Sequence, residues 1–299
     1  MTIGISGRRT GVSIGFSPYP ALRMISLTEH DSHIKEDTPV VPMPDLPVHE
    51  LGRMIATAFR LKTRPLAVCA ADKPPTDAIP LPSVHRCIAV TMARMAMEDG
   101  PSAVYLGKDV RQGCCPGGLS HTGYIMRPPA ISYFVSTGRP DIPDAPAEYL
   151  KAGPEVVDAC FNAIGPITPA GNYLVIRSCE SVPEGETGVR AVSCFGTAEQ
   201  IRNMAALVHF DRAEPFFPVL VPWGPACATL VTYPAGMAAG APRDSAFMGP
   251  QDPTANYAIP ADILVIGLPL TVARRMGENI GRSFVSRRAG IAFPERETE

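Results

Sequence analysis

The sequence predicts a mixed α/β fold, in which helices pack on a mixed β-sheet within a single compact domain. Apolar runs of strand length occur at 65–70, 103–107 and 262–268. Between such runs, apolar residues recur every three or four positions, as they do along one face of a helix. The 33 prolines divide the chain into short elements. Because strands alternate with helices and some strands are joined only by loops, a mixed sheet is favoured over a purely parallel one.

The first predicted helix runs from Asp45 to Phe59, with Leu51 and Ile55 on its apolar face. Residues 1–44 have no sustained periodicity, and they are expected to form an irregular N-terminal extension. That extension would pack on the fold or on a second copy of the chain, so a homo-oligomer is one expected assembly. The single α/β domain is then expected to span residues 45–290.

A second helix is predicted from Ser83 to a stop at Gly100, and a loop is predicted over 107–124. In the second half of the chain, Thr197 and Gln200 form a capping box that should begin a helix burying Ile201, Met204 and Val208. The remaining expected elements are a proline-initiated helix at 154–164, strands at 172–178, 189–195 and 217–223, a short helix from Gly224 to Tyr233, and a last helix carrying Val272, Met276 and Ile280.

Charge and hydropathy exclude several classes of partner. The formal net charge is −2 and the isoelectric point is near 6.3, which argues against nucleic acid or an anionic membrane surface as a partner. No apolar run approaches the roughly 20 residues that span a bilayer. The apolar stretch after Arg8 and Arg9 is soon broken by serine and proline, so a cleaved signal is not expected. These features predict a cytoplasmic protein, and its expected partner is a small-molecule substrate.

The chain has eight cysteines. A chain of this length without a signal does not suggest a disulfide framework, so most of them are expected to be thiols. Two are adjacent in the CCPGG segment at 114–118, which Ser120 and His121 follow. Glycine-rich loops let the backbone approach a ligand, so Cys114, Cys115 and His121 are candidate site residues. Adjacent side chains on extended backbone point in different directions, and only one of the two thiols is expected to face the site.

Two further cysteines fall in the first turns of predicted helices, Cys87 after Ser83 and Cys227 after Gly224 and Pro225. Unpaired N–H groups at a helix start stabilise a thiolate and lower the thiol pKa. A thiolate is the form that binds metal or attacks an electrophile. We therefore expect Cys87 and Cys227 to contribute to the same chemistry as the CCPGG segment.

The order of several segments resembles a known prokaryotic family, the domain of unknown function 169. The segments are LKTRPLAV, HRC, CPGG, FGTAEQIRNMAALVHF, GPACATLVTYP and ADILVIGLP, and the resemblance covers roughly residues 46–285. It implies that the recurrent cysteines of the family correspond to Cys87, Cys115 and Cys227 and belong to one site. It transfers no activity. The chain departs from the family pattern in its N-terminal extension and in the additional Cys114.

Three thiolates on separate elements could hold a metal. Sulfur ligands favour zinc, copper(I) or an iron–sulfur cluster, and the absence of a CxxC pair argues against a zinc ribbon. A 4Fe–4S cluster on Cys87, Cys115 and Cys227 would leave one iron open to substrate or to a fourth ligand, for which Cys114, Cys194 and His121 are candidates. The function expected on this basis is that of an intracellular iron–sulfur or other thiolate-metal enzyme, an oxidoreductase or a lyase that acts by redox or elimination chemistry.

Two alternatives remain open at this stage. One is a binding protein that senses metal or redox state and converts no substrate. The other is a metal-free enzyme whose nucleophile is a cysteine of lowered pKa beside His85 or His121.

Overall fold

The computed structural model describes residues 46–97, 100–252 and 258–287. The expected extension over 1–44 and the predicted helix start at Asp45 lie outside these residues. Within them the strands form one eight-stranded sheet in the order β2-β3-β4-β1-β5-β8-β7-β6. The pairs β2–β3 and β6–β7 are parallel and the other pairs are antiparallel. The strands are β1 Leu66–Ala71, β2 Ile79–Pro80, β3 Ala103–Gly107, β4 Tyr173–Ser178, β5 Val189–Thr197, β6 Val219–Leu220, β7 Ala246–Gly249 and β8 Ile263–Pro269.

The helices cover both faces of this sheet. They are α1 Val48–Ala58, α2 Ile88–Met97, α3 Pro116–His121, α4 Ala130–Val135, α5 Pro154–Ile164, α6 Ala198–Val208, α7 Leu270–Ile280 and α8 Phe284–Arg287, with a 3₁₀ turn at Cys179–Ser181 and a π-helix at Ala228–Thr232. The predicted mixed α/β fold is confirmed. The described residues belong to one compact unit, and none of their helices is long and apolar enough to cross a membrane.

Successive residues of β1 show how the two faces differ. Leu66 and Val68 belong to a core cluster with α2, α3 and the π-helix, whereas Ala67 and Cys69 belong to a second cluster with α1, α6 and α7. This alternation is the two-residue period of a strand buried on both sides. The elements that carry Cys87, Cys114 and Cys227 therefore lie on the same face of the sheet.

The π-helix packs directly on β8 at Gly267. A Cβ atom at this position would lie 2.2 Å from the carbonyl oxygen of Thr229, so only glycine allows the strand and the π-helix to approach so closely. Ser193 on β5 also donates a hydrogen bond of 2.5 Å to the carbonyl oxygen of Leu230. These contacts fix the position of the helical turn on which Cys227 lies.

Two element boundaries differ from the prediction for identifiable reasons. Helix α2 begins at Ile88 rather than near Ser83, because Arg86 has a φ of 47°, which is incompatible with a right-handed helix. The strand predicted over 217–223 is reduced to Val219–Leu220. Pro218 and Pro222 flank these two residues and have no N–H to donate to a neighbouring strand.

The capping box, in contrast, is present as predicted. The side chain of Thr197 accepts from the N–H of Gln200, and the Gln200 side chain accepts from the N–H of Thr197. Helix α6 follows and buries Ile201, Met204 and Val208. The local sequence therefore determined both the start and the buried face of this helix.

Candidate functional site

A cavity of about 500 Å³ lies on the sheet face that carries α2, α3 and the π-helix. Cys87, Cys115 and Cys227 all line it, and we call them the thiol triad. Each pair within the triad interacts electrostatically. The structure thus brings together three cysteines that are 28 or more positions apart in the sequence. A cavity of this size accommodates a small molecule.

Cys115 is positioned by the CCPGG segment. The sequence predicted a loop over the whole of 107–124, but the chain enters helix α3 at Pro116, and Cys115 is its N-cap. Proline suits the first helical position, because its missing N–H would have no partner within the helix there. The N–H of Gly118 donates a 3.2 Å hydrogen bond to Cys115 Sγ. The Cys115 thiol therefore faces the cavity with a backbone donor already directed at it.

Cys114 lies behind this thiol, in the core cluster with Leu119, and it is not among the residues that line the cavity. Its S–H donates to Cys115, and this hydrogen bond together with the backbone N–H groups lowers the pKa of Cys115 to about 6 although burial opposes the shift. The same hydrogen bond, with burial, raises the pKa of Cys114. The pair is thus arranged as a protonated thiol that stabilises a neighbouring thiolate.

The other two thiols of the triad behave differently from the sequence expectation. A helix start was expected to lower their pKa values, but burial raises the pKa of Cys87 and raises that of Cys227 well above its ordinary value. Backbone N–H groups of Ala89 and Val90 do act on Cys87 in the expected direction. The prediction is wrong because desolvation of the charged form outweighs these donors.

His121, the last residue of α3, also lines the cavity. Its side chain is buried, and its Nδ1 has no hydrogen-bond partner among the described residues. Burial and the nearby positive charge of Arg127 lower the pKa of His121 to about 4, so the imidazole is neutral at pH 7. The backbone of His121 is held in place by Thr232, whose hydroxyl donates a 2.6 Å hydrogen bond to the His121 carbonyl oxygen.

His85 and Cys194, the remaining candidates, lie elsewhere. His85 Nε2 is 2.6 Å from Arg94 Nη1, and His85 does not line the cavity. Cys194 is fully buried in the core cluster on the opposite face of the sheet. Of the candidate partners for the triad, His121 is therefore the one that reaches the cavity directly, while Cys114 acts through Cys115.

Two carboxylates at the cavity were not identified from the sequence, Glu148 and Asp252. Burial, with the negative charges of Asp252 and Cys115, raises the pKa of Glu148 to about 7. Glu148 Oε1 is buried and has no hydrogen-bond partner in the described part of the chain. Its backbone is held at the end of α4, because the Glu148 N–H donates a 2.7 Å hydrogen bond to the carbonyl oxygen of Phe134. The surrounding sequence, a proline-rich stretch without periodicity, gives no signal for this role.

Part of the cavity wall comes from α4, α5 and the segment before the π-helix. Arg127 connects α4 to α5, since it donates to Ser132 Oγ at 2.6 Å and to Asp158 Oδ1 at 2.7 Å, and its Cζ lies 4.2 Å from the Phe161 ring centroid. The apolar residues of this wall include Ile131, Phe134, Val135, Leu150, Phe161 and Trp223.

The described residues contain no group of three or more His, Cys, Asp or Glu side chains arranged to hold a metal ion. A single tetrahedral ion with bonds near 2.3 Å needs its sulfur ligands only about 4 Å apart. The ligands of an iron–sulfur cluster bind different iron atoms and so stand farther apart. The described side chains, the thiol triad among them, are therefore not arranged as the ligand set of a single tetrahedral ion.

Sequence comparison places this site in a family. The family model for domain of unknown function 169, described as Uncharacterised ArCR, matches residues 54–279. The chain belongs to this family. The match includes all three thiols of the triad together with Cys114, His121 and Glu148. No curated protein and no solved structure matches the chain.

Proposed function

We propose that this member of the family is an iron–sulfur enzyme in which Cys87, Cys115 and Cys227 hold a 4Fe–4S cluster at the edge of a substrate cavity. The observation that supports the proposal is the position of the triad, since three thiols from three separate elements line one small-molecule cavity. The cluster would supply an iron with an open coordination position, suited to redox or elimination chemistry on a small molecule.

Charge at the site supports a bound cation. The cavity is lined by three thiols and two carboxylates, and none of the described lining residues is Lys or Arg. Without a counter-charge, Cys87 and Cys227 remain protonated, because burial raises their pKa values. A bound metal reverses this preference, since it stabilises the thiolate form directly. The same cavity supports an enzyme over a sensor, because metal sensing alone requires no ligand-sized space beside the metal.

A second candidate function is nucleophilic catalysis by Cys115 without metal. It is supported by the hydrogen bonds to Cys115 Sγ from Cys114 and from the Gly118 N–H, because a thiolate stabilised in this way is a ready nucleophile at neutral pH. In this case Cys87 and Cys227 would be packing residues at the cavity wall.

Alkylation with iodoacetamide, followed by mass spectrometry of each cysteine, distinguishes the two functions. In protein purified without oxygen, we expect the triad to be protected, and we expect chelation of iron under oxidising conditions to expose Cys115. Cys160 on α5 is half-buried and lies outside the cavity lining, so it should react equally before and after chelation. It serves as the control.

If Cys115 is instead a metal-free nucleophile, it should react at once in untreated protein. Because its pKa is lowered to about 6, its rate should rise as the pH increases through 6 and level off above 7. Removing the Cys114 donor by Cys114→Ala should move this rise to higher pH. Immediate alkylation of Cys115 in the anaerobic protein would contradict the cluster proposal.

A further inference from the structure

The cavity beside the triad has properties that define the chemistry of its ligand. Besides the thiols, its lining is largely aliphatic and aromatic, with Ile131, Leu150, Phe161 and Trp223 among its residues. A cavity of about 500 Å³ with such a wall favours a compact apolar body, because burial of apolar surface supplies about 25 cal/mol per Å². The body of the ligand is therefore mainly hydrocarbon.

Among the described residues that line the cavity, the ionisable groups are acids or neutral bases. Glu148 and Asp252 are carboxyl groups, the triad consists of thiols, and His121 is neutral because burial lowers its pKa. An anion placed among these groups would meet like charges in a confined site, which costs several kcal/mol. The lining therefore disfavours a carboxylate or phosphate ligand.

Two cationic side chains stand near the apolar wall, but neither lines the cavity. Lys151 Nζ lies 4.6 Å from the Trp223 ring centroid, and Arg127 lies over the Phe161 ring and forms an ion pair with Asp158. These contacts direct both charges at aromatic rings instead of at a ligand. They do not provide the anion-binding group that the described lining residues lack.

Two polar atoms of residues that line the cavity are buried without a partner in the described part of the chain, His121 Nδ1 and the acceptor Glu148 Oε1. Glu148 Oε1 is buried from solvent and unpaired, although its backbone is held by hydrogen bonding to the end of α4. A buried acceptor without a donor is costly unless a ligand supplies the donor. A hydroxyl or amine on the ligand would satisfy it.

We propose that the cavity binds an uncharged or cationic small molecule with an alicyclic or aromatic body and one hydroxyl or amine that donates to Glu148, and that it rejects carboxylated and phosphorylated compounds. This inference rests on the proposed function in that it places the substrate in the cavity beside the triad. The groups that select the ligand, however, are Glu148, Asp252 and the apolar wall, all of which belong to the chain itself.

Three probes with one shared body test the selectivity, namely 1-adamantanemethanol, 1-adamantanemethylamine and 1-adamantanecarboxylate. None of them absorbs in the near ultraviolet. We expect calorimetric titration of anaerobically purified protein at pH 8 to show the alcohol and the amine binding at least about tenfold more tightly than the carboxylate. Trp223 is the only tryptophan in the chain and lines the cavity, so its emission should change on binding and report the location.

Substitution of the acceptor tests the role of Glu148. Glu148→Gln should weaken binding of the amine by about tenfold and affect the alcohol less, because the amide oxygen still accepts a hydrogen bond but carries no charge. Glu184→Gln, at an exposed loop position, is the matched control and should change neither affinity.

Equal or tighter binding of the carboxylate, no binding of any probe, or no effect of Glu148→Gln would overturn the inference. Iron analysis of the same samples tests the cluster proposal separately from the proposed ligand class. Iron without the expected order of affinities would refute only the ligand class, whereas the expected order without iron would refute only the cluster.

Discussion

Replacing Cys227 with alanine is expected to abolish binding of the proposed cluster and to lower the unfolding temperature by more than a packing defect would. Cys227 lies at the cavity wall with its side chain almost fully buried. The loss of one of three protein ligands should reduce iron affinity by at least tenfold to a hundredfold, the range seen even for groups that only orient a ligand. Because ligation free energy is also folding free energy, stability should fall with iron content. Cys87→Ala and Cys115→Ala should behave alike, as measured by elemental analysis and thermal unfolding.

Cys194→Ala is the matched control for this series. Cys194 is fully buried, as Cys227 nearly is, but it belongs to the core cluster on the other face of the sheet. Removing its sulfur should cost on the order of 1 kcal/mol through lost packing and should leave the iron content unchanged. Wild-type iron content in Cys227→Ala, or equal iron loss in Cys194→Ala, would contradict the assignment of the triad.

The second large effect is expected from Gly113→Ala, at the residue before the two adjacent cysteines. A Cβ atom here would lie 1.9 Å from the carbonyl oxygen of Leu81 and 2.6 Å from its carbonyl carbon. The backbone of Leu81 cannot move away easily, because its N–H donates a 2.8 Å hydrogen bond to the Tyr105 carbonyl oxygen on β3. The segment carrying Cys115 must therefore move. We expect a loss of about 3 kcal/mol in the free energy of unfolding, measured by urea denaturation, together with reduced iron binding.

Gly117→Ala provides the comparison within the same segment. In the described part of the chain, and apart from the local backbone, the heavy atom that a Cβ at this position would meet is Cys115 Sγ, at 3.9 Å, which is an ordinary contact. Alanine also favours the helical conformation of α3 by up to about 1 kcal/mol relative to glycine. Stability should thus be unchanged or slightly increased. Similar losses in the two variants would show that the close approach to Leu81 does not constrain the site.

The sequence predicted those elements well whose start or direction depends on residues close together in the chain. The capping box of Thr197 and Gln200 marked the start of α6, and the helix over 154–164 was found within the predicted limits. The different directions of Cys114 and Cys115 followed from their adjacency, and one of them faces the cavity as expected. Each of these features depends on neighbours a few residues away in the chain.

The order of the strands in the sheet could not be predicted from local sequence features. Strands β4 and β5 follow one another with only a loop and a 3₁₀ turn between them, yet β1 lies between them in the sheet and pairs with both. The apolar residues of these strands indicate that the strands are buried, but they do not indicate which strands pair with each other in the sheet. Such pairing depends on contacts between residues far apart in the chain, which a single sequence does not specify.

The contribution of Glu148 and α4 to the cavity was not predicted from the sequence, for a related reason. Glu148 lies in a loop and becomes a site residue only because its N–H is bound to the carbonyl of Phe134 on α4. The sequence does not reveal that α4 exists, since helix Ala130–Val135 has only six residues and follows two prolines. The cysteines were identified because their chemistry is specific, whereas a glutamate in an irregular segment is ordinarily solvated.

The iron and acid-labile sulfide contents of the wild-type protein test most directly whether the triad holds the proposed iron–sulfur cluster. The protein would be purified without oxygen and both contents measured per chain. We predict iron and sulfide in equal amounts, on the order of four of each per chain. A protein prepared in this way that contains neither iron nor sulfide would contradict the claim and would favour Cys115 as a metal-free nucleophile.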